Sequence, residues 1–305
     1  MRKQRIKMQS SHSVKNTSYY SIKDLEKLTG IKAHTIRIWE KRYNVIEPDR
    51  TDTNIRKYSD ADLKKILLIS ILNENGHKIS KIAHLHLSEL NKMVRTLSGK
   101  TSEMSLFIDQ LVVSMIEMDE QSFSQQIDDL TQWFGFEKAV MDIVFPFCEK
   151  IGILWLIEKI HPAHEHFISN MIRQKLMVNI DALPSPSGES KKVVLFLKEG
   201  EYHDIGLLFY YYLFKKAGLK TIFLGQATPM EDVARVVEFH KADILVSALI
   251  TKISPEQTQN WIDELAENFP DQRIILSGQH LNEVDVHYPD NITHYSTARQ
   301  IWENI

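Results

Sequence analysis

Three groups of residues in this 305-residue chain could do specialised chemistry. The first is Glu199-Gly200-Glu201-Tyr202-His203-Asp204-Ile205-Gly206, in which a histidine precedes a glycine by three positions. An imidazole is a good transition-metal ligand, but a lone H-x-x-G is a weak signal that needs a structural context. The second is a set of basic side chains, Arg37, Lys41, Arg42, Arg50, Arg56 and Lys57. At that density they suit a polyanion, because guanidinium forks grip guanine edges or phosphates bidentately. The third is His161, His164 and His166. Without cysteines or a carboxylate set at i, i+4, these read as helix-start capping and packing rather than a zinc site.

The basic set needs elements to aim it. Ser21 reads as the N-cap of a helix over Ile22–Leu28, closed by Gly30. A second helix spans about His34–Tyr43, with Ile36 and Trp39 on one face. Glu47-Pro48-Asp49-Arg50 through Asn54 breaks it, and Ile55–Tyr58 can pair as a short strand. Ser59 and Asp62 form a capping box for a helix over Ala61–Asn73, and a shorter one over Ile79–Leu85 completes the module. Residues 1–100 hold 21 Lys/Arg against 10 Asp/Glu, and the rest hold 16 against 30. One end therefore suits a polyanion and the other does not.

From Tyr19 to about residue 90 the chain resembles the MerR family of winged-helix regulators. The resemblance is carried by Thr35-Ile36-Arg37 and Glu40-Lys41-Arg42 on the second helix, Pro48 and Arg50 at the start of the wing, then Arg56, Tyr58 and Asp62-Leu63. It implies a double-stranded DNA operator as partner. His34, Thr35 and Arg37 would meet base edges in the major groove. Lys41, Arg42, Arg50, Arg56 and Lys57 would hold phosphates, with Tyr58 on the same surface. One short recognition helix reads few bases, so the form expected on DNA is a homo-oligomer, dimer or tetramer.

The rest of the chain divides in two. Residues 1–16 are polar and read as a disordered tail, 17–90 as the DNA module and 91–103 as a linker. Ser105–Met118, Glu120–Phe134, Phe136–Gly152 and Ala163–Leu183 are amphipathic, and predict a four-helix bundle over 104–184. Pro184-Ser185-Pro186-Ser187-Gly188 is a hinge, taken as 185–190. Over 191–305, strands at Val193–Leu197, Thr221–Leu224, Ile244–Ser247, Arg273–Leu276 and Ile292–Tyr295 alternate with helices near Ile205–Ala217, Met230–His240, Pro255–Asn268, Gln279 and Thr297–Glu303. That alternation predicts a doubly wound, flavodoxin-like sheet of five parallel strands, with ligands at their C-terminal ends. The fold class is thus multidomain, α and α/β. No G-x-G-x-x-G follows the first strand, which argues against a nicotinamide dinucleotide.

At the ligand-binding edge of that sheet lie the His203 stretch, Leu224-Gly225 with Pro229, Ser247-Ala248-Leu249 and Ser277-Gly278-Gln279. Together they resemble the cobalamin-binding modules of methionine synthase and related proteins, which carry D-x-H-x-x-G, S-x-L and G-G. The resemblance implies that His203 ligates cobalt in place of the cofactor's own benzimidazole, and that Glu201 hydrogen-bonds the imidazole. Gly206 would leave room for the displaced tail, and Ser247, Leu249, Ser277 and Gly278 would line its tunnel. In the bundle, Trp155 is followed nine residues later by Glu165-His166. This pattern, with the domain order, resembles the cobalamin-dependent, light-responsive MerR-family repressors, often of carotenoid genes. There the tryptophan packs over the upper corrin face and the Glu-His pair lies near the upper ligand, so a corrin between Trp155 and His203 would link two modules. The implied cofactor is adenosylcobalamin or methylcobalamin. Without the family pattern, Trp155 reads as bundle core and Glu165-His166 as a surface pair.

Four departures matter. Glu201 replaces aspartate, a mild change. Ser277 replaces the first glycine of the pair and could narrow the tunnel. Leu156 stands where the photoreceptors carry the histidine that captures cobalt after photolysis, and Glu158 stands where a glycine is expected. Light would then cleave an alkyl–cobalt bond without trapping a stable bis-histidine product.

No apolar run is long enough to span a bilayer, and the charged start (Arg2, Lys3, Arg5, Lys7) has no apolar segment behind it. The single cysteine, Cys148, sits among Phe145, Phe147 and Ile151 and suits a reducing cytoplasm. The expectation is a cytoplasmic DNA-binding regulator, not an enzyme, whose assembly and DNA affinity respond to cobalamin, with no membrane partner. Two alternatives stay open: a MerR-type regulator that keeps the fold without the cofactor, and a cobalamin-dependent methyltransferase or mutase subunit. The latter leaves the winged helix unexplained and has no residues for a substrate domain.

Overall fold

The computed structural model describes residues 20–51, 53–98, 104–156, 162–186 and 188–305. Its first helices start where the sequence places caps. Ser21 accepts from Asp24 N while Asp24 accepts from Ser21 N, which opens α1 (Ile22–Thr29), and Gly30 ends it at φ 72°. The helix α2 (Ala33–Tyr43) buries Ile36 and Trp39 against the module core. The wing pairs β1 (Asp49–Arg50) with β2 (Arg56–Lys57), extended by a Tyr20–Tyr58 bridge. A second capping box, Ser59 with Asp62, opens α3 (Asp60–Glu74).

After α4 (Ile79–Ile82) the chain departs from expectation. The stretch read as a linker is helical as α5 (Leu87–Ser98), where Leu90 and Val94, one turn apart, are buried and the helix packs on α3. The tail expected over 1–16 and the end of the expected linker, 99–103, lie outside the described residues.

The helical middle contains α6 (Met104–Ile116), α7 (Glu120–Phe134), α8 (Phe136–Ala139), a π-helical turn over Val140–Val144, α9 (Phe145–Leu156) and α10 (Pro162–Asp181). The expected single helix over Phe136–Gly152 is therefore interrupted. Pro146 has no N–H, and its ring crowds the carbonyl four residues back, so the widened turn falls where a regular helix would clash. The chain forms two compact units, Met1–Gln126 with Asp142–His164 and Ile127–Met141 with Glu165–Ile305, so the expected bundle is shared between them.

The second unit holds a sheet of β3 (Lys192–Lys198), β4 (Lys220–Thr228), β5 (Ile244–Ala248), β6 (Arg273–Ser277) and β7 (Ile292–His294). The order is β4-β3-β5-β6-β7 and every pairing is parallel. The central residues of β3 and all of β5 are buried, because helices cover both faces. These are α11 (Ile205–Lys216), α12 (Met230–His240), α13 (Pro255–Asn268), α14 (Gln279–Glu283) and α15 (Ala298–Glu303). The core between the sheet and α12–α13 is built on Val194, Phe196, Leu245, Ile262, Leu265 and Leu276. Strand β4 runs four residues past the expected Leu224, because Gly225 at φ 83° absorbs a register shift. Among the described residues no helix is long and apolar enough to cross a membrane.

Candidate functional site

In this sheet the winding order reverses between the parallel neighbours β3 and β5, and the crevice beyond their C-terminal ends is where open α/β sheets bind ligands. Glu201 follows β3, and its side chain is 1% exposed in that crevice. Its Oε1 accepts from Tyr202 N (2.9 Å), His203 N (3.0 Å) and His203 Nδ1 (2.6 Å). Its Oε2 accepts from Ile250 N and Thr251 N, both at 2.8 Å, in the loop after β5. Thr251 Oγ1 adds a bond at 3.2 Å. Burial alone would push this carboxyl up, but the His203 bond and the backbone N–H groups of Thr251, His203 and Ile250 hold it down at about 2.

The pair sets His203 in one orientation. A carboxylate only accepts, so Nδ1 carries the proton and Nε2 is the nitrogen available to a metal. The bond to Glu201 raises the imidazole pKa, burial opposes it, and the charges of Glu201, Glu165 and Asp204 add to the rise. The side chain is 60% exposed, unlike its anchor. Among the described residues no three His, Cys, Asp or Glu side chains gather into a site for a free ion. One oriented imidazole suits instead a metal that brings its other ligands with it, as in a macrocycle.

The strand-end residues also fit such a group, with one exception. Ser247 Oγ at the end of β5 is fully buried and has no protein partner, an unused hydrogen-bonding group. A Cβ at Gly206 would meet nothing within 4 Å, so open room begins in the first turn of α11. Gly278 is required by the backbone: at φ 119° a Cβ would collide with Leu249 O and lie 2.7 Å from Leu249 N. Leu249 itself packs into the α12–α13 core, and its backbone N–H donates to the Ser277 carbonyl while its carbonyl accepts from His280 N, on either side of Gly278. Ser277 is the exception, since its hydroxyl is buried and already bonded to Tyr210 and to the carbonyl of Tyr295.

Glu165 and His166 form a pair at the start of α10, His166 Nδ1 to Glu165 Oε2 at 2.9 Å, while Ser169 donates to Glu165 Oε1. Trp155 and Leu156 fall at the end of α9, with side chains outside the described residues, as are all of Glu158 and His161. Sequence reasoning missed Arg173. From α10 it grips Asp204, next to His203, at 2.8–3.3 Å.

On the first unit, His34, Arg37, Lys41 and Arg42 lie on the exposed side of α2, opposite Ile36 and Trp39. Thr35, half-buried, bonds His34 Nε2 at 3.3 Å, and Arg42 lies over the Tyr43 ring. Arg50 and Lys57 are exposed on the wing, where Arg50 holds Asn54. Two expected DNA contacts are redirected. Tyr58 is wholly buried, with its hydroxyl on Glu40, and burial together with the Glu40 charge pushes that hydroxyl's pKa up. Arg56 Nε binds both Glu40 oxygens, at 2.9 and 3.1 Å. Both residues therefore lock the wing to α2. Sequence reasoning also passed over Ile38, exposed beside Arg37.

Residues 20–88 match the family described as MerR HTH family regulatory protein, and residues 107–178 match the B12 binding domain. The HTH-type transcriptional repressor CarH of Myxococcus xanthus is 25% identical over 257 residues, covering 82% of this chain and 85% of the relative. The repressor CarA of the same organism is 24% identical over 247 residues, covering 80% and 81%. Among solved structures, the monomethylamine corrinoid protein of Methanosarcina barkeri superposes with a TM-score of 0.52 at 15% identity, over 66% of this chain and 98% of that one, a likeness of fold. The chain thus carries a MerR helix-turn-helix and a B12-binding domain, and it is homologous to the two repressors.

Proposed function

We propose that this chain, a MerR-type helix-turn-helix joined to a B12-binding domain, is a DNA-binding transcriptional regulator that responds to cobalamin and has no enzymatic role. The observation that carries the reading is the buried Glu201 carboxylate holding His203 by Nδ1 at the sheet's switch point, which leaves Nε2 as the nitrogen that could bind a metal. His203 would be the lower cobalt ligand, with Glu201 setting its tautomer. Gly206, Ser247 and Gly278 would border the displaced arm, and Glu165 and His166 would serve the upper side. Bound cobalamin would supply a photolabile alkyl–cobalt bond, a chemistry no side chain here offers.

On the DNA side, His34, Thr35 and Arg37 would read base edges, while Lys41, Arg42, Arg50 and Lys57 would hold phosphates. The operator would be bound in the cytoplasm by a homo-oligomer, dimer or tetramer, because one α2 covers too few base pairs. The DNA module would span 17–90 with α5 in place of a linker, the helical cap 104–184 and the cofactor domain 191–305.

The test is reconstitution of the full chain with adenosylcobalamin and methylcobalamin, in the dark and after illumination, followed by visible spectra and operator binding. His203→Ala should lose cobalamin uptake while keeping the fold, since a loop histidine adds little packing. Undiminished uptake with an unchanged spectrum would refute the ligand assignment. The closed Tyr210–Ser277 contact favours a second reading, a regulator that keeps the fold without the complete cofactor.

A further inference from the structure

We propose that Tyr210 is the selectivity residue for the lower side of the corrinoid. With Ser277 it closes the passage that the cofactor's nucleotide arm would need, so this chain takes an arm-free corrinoid at least as readily as complete cobalamin. The inference rests on the reading above that His203 ligates cobalt.

Cobalt has one lower axial position. If His203 Nε2 fills it, the benzimidazole that would otherwise sit there, with the nucleotide arm tethering it to the ring edge, must lie beside the histidine and below the ring. Open room next to His203 begins at Gly206, where a Cβ would touch nothing within 4 Å. One helical turn further, Tyr210 shares that side of α11. Its hydroxyl donates to Ser277 Oγ at 2.9 Å, and Ser277 Oγ donates to the carbonyl of Tyr295 at 2.8 Å. Tyr210 is 6% exposed and Ser277 2%. The adjoining wall cannot yield, because Gly278 is already pressed against the Leu249 backbone. Protein atoms thus fill the space between α11 and the end of β6.

The hydroxyl is the informative part. A phenylalanine would fill the same apolar room, as Phe209 and Phe214 do elsewhere on α11. A tyrosine there must have its hydroxyl satisfied, and a serine at 277 satisfies it where a glycine could not. An entering arm would have to move the ring and replace both hydrogen bonds. An arm-free corrinoid approaches His203 without disturbing either.

The full chain should be titrated with hydroxocobalamin and with diaquocobinamide, which lacks the nucleotide arm, each followed by its visible spectrum and then in competition. Wild type should bind the cobinamide at least as tightly. Tyr210→Val with Ser277→Gly should shift the ratio toward cobalamin by about tenfold or more. Tyr210→Phe should shift it less, since the ring stays, and it guards against a packing defect in the double variant. Thermal melts followed by circular dichroism establish that each variant is folded. Uptake of cobalamin by the double variant alone would support the proposal in its strongest form. A wild type that prefers cobalamin tenfold, or a folded double variant with an unchanged ratio, would overturn it while leaving the His203 assignment intact. Corrinoid uptake that ignores His203→Ala, or no uptake by any variant, would overturn the underlying reading and this inference with it.

Discussion

Replacing Glu201 with glutamine is the sharpest single test of how the candidate site is built. The substitution keeps size and shape but exchanges one accepting oxygen for an NH2 group. If the amide nitrogen takes the Oε2 place, the N–H groups of Ile250 and Thr251 lose their acceptor. If it takes the Oε1 place, Tyr202 N, His203 N and His203 Nδ1 lose theirs. Either way at least two buried donors face another donor, at roughly 1–3 kcal/mol each. The pKa gives a second route to the magnitude. A carboxyl held at about 2 rather than 4.5 favours its charged form in the fold by roughly 3 kcal/mol. A loss of about 3–5 kcal/mol at neutral pH is therefore expected, read by urea unfolding of the chain at a cofactor-domain probe.

The sign of its pH dependence follows. A depressed carboxyl contributes fully above its unfolded value of 4.5 and loses the contribution as pH falls toward about 2. The gap between wild type and Glu201→Gln should narrow as pH falls from 4.5 toward about 2. His203 runs the other way: its raised pKa gives stability that is present below 6.5 and is lost as pH rises through the folded value. Removing the Glu201 charge should bring the His203 titration, followed by NMR, down. Equal stability of the two proteins at neutral pH, or a gap that stays constant into acid, would refute this account of the loop.

Four further substitutions have expected outcomes. Gly278→Ala should destabilise the cofactor domain by about 3 kcal/mol or more, since a Cβ there combines a left-handed φ with a backbone clash, and a melt unchanged from wild type would count against the packing. On DNA, Arg37→Ala should relax base preference, and Arg50→Ala should weaken all sequences alike and lower the salt slope by about 1. Arg56→Ala should instead lower the melting temperature of the DNA module, because its partner is Glu40.

Most element positions were legible because local chemistry sets them. Ser21 and Ser59 with their reciprocal aspartates, and the alternation beyond residue 191, depend on spacing alone. What stayed hidden depends on partners far along the chain. Tyr58 reads as a DNA contact until Glu40, eighteen positions away, is seen to take its hydroxyl. The Glu201–His203 pair was legible as a motif, but not Ile250 and Thr251, which satisfy the carboxylate from about fifty positions away. Ser277 reads from the sequence as a narrowing of the tunnel, whereas Tyr210 is unremarkable there because nothing local pairs a helix tyrosine with a strand end. The α5 helix was missed for the opposite reason: Leu87, Leu90 and Val94 carry the spacing, but the polar residues between them read as linker.

The loop that presents His203 is also the loop that holds α10. Asp204 caps α11 by position, but its side chain makes no cap bond. It is spent on Arg173 in a bidentate ion pair. Two turns earlier on α10, Glu165 contributes to the field that raises His203. Further along, Lys215 donates to the Ile180 carbonyl, and Glu137 takes both Tyr212 and Lys216 of α11. His203 and Asp204 are chain neighbours, so a shift of this loop would reach the Arg173 pair through one peptide unit. Opposing it is the Glu201 anchor, which ties the same loop to the end of β5. A ligand can change the position of α10 only by the difference in its affinity for the two settings of this loop. Glu201 and Arg173 therefore tie the loop that carries His203 to the end of β5 and to α10.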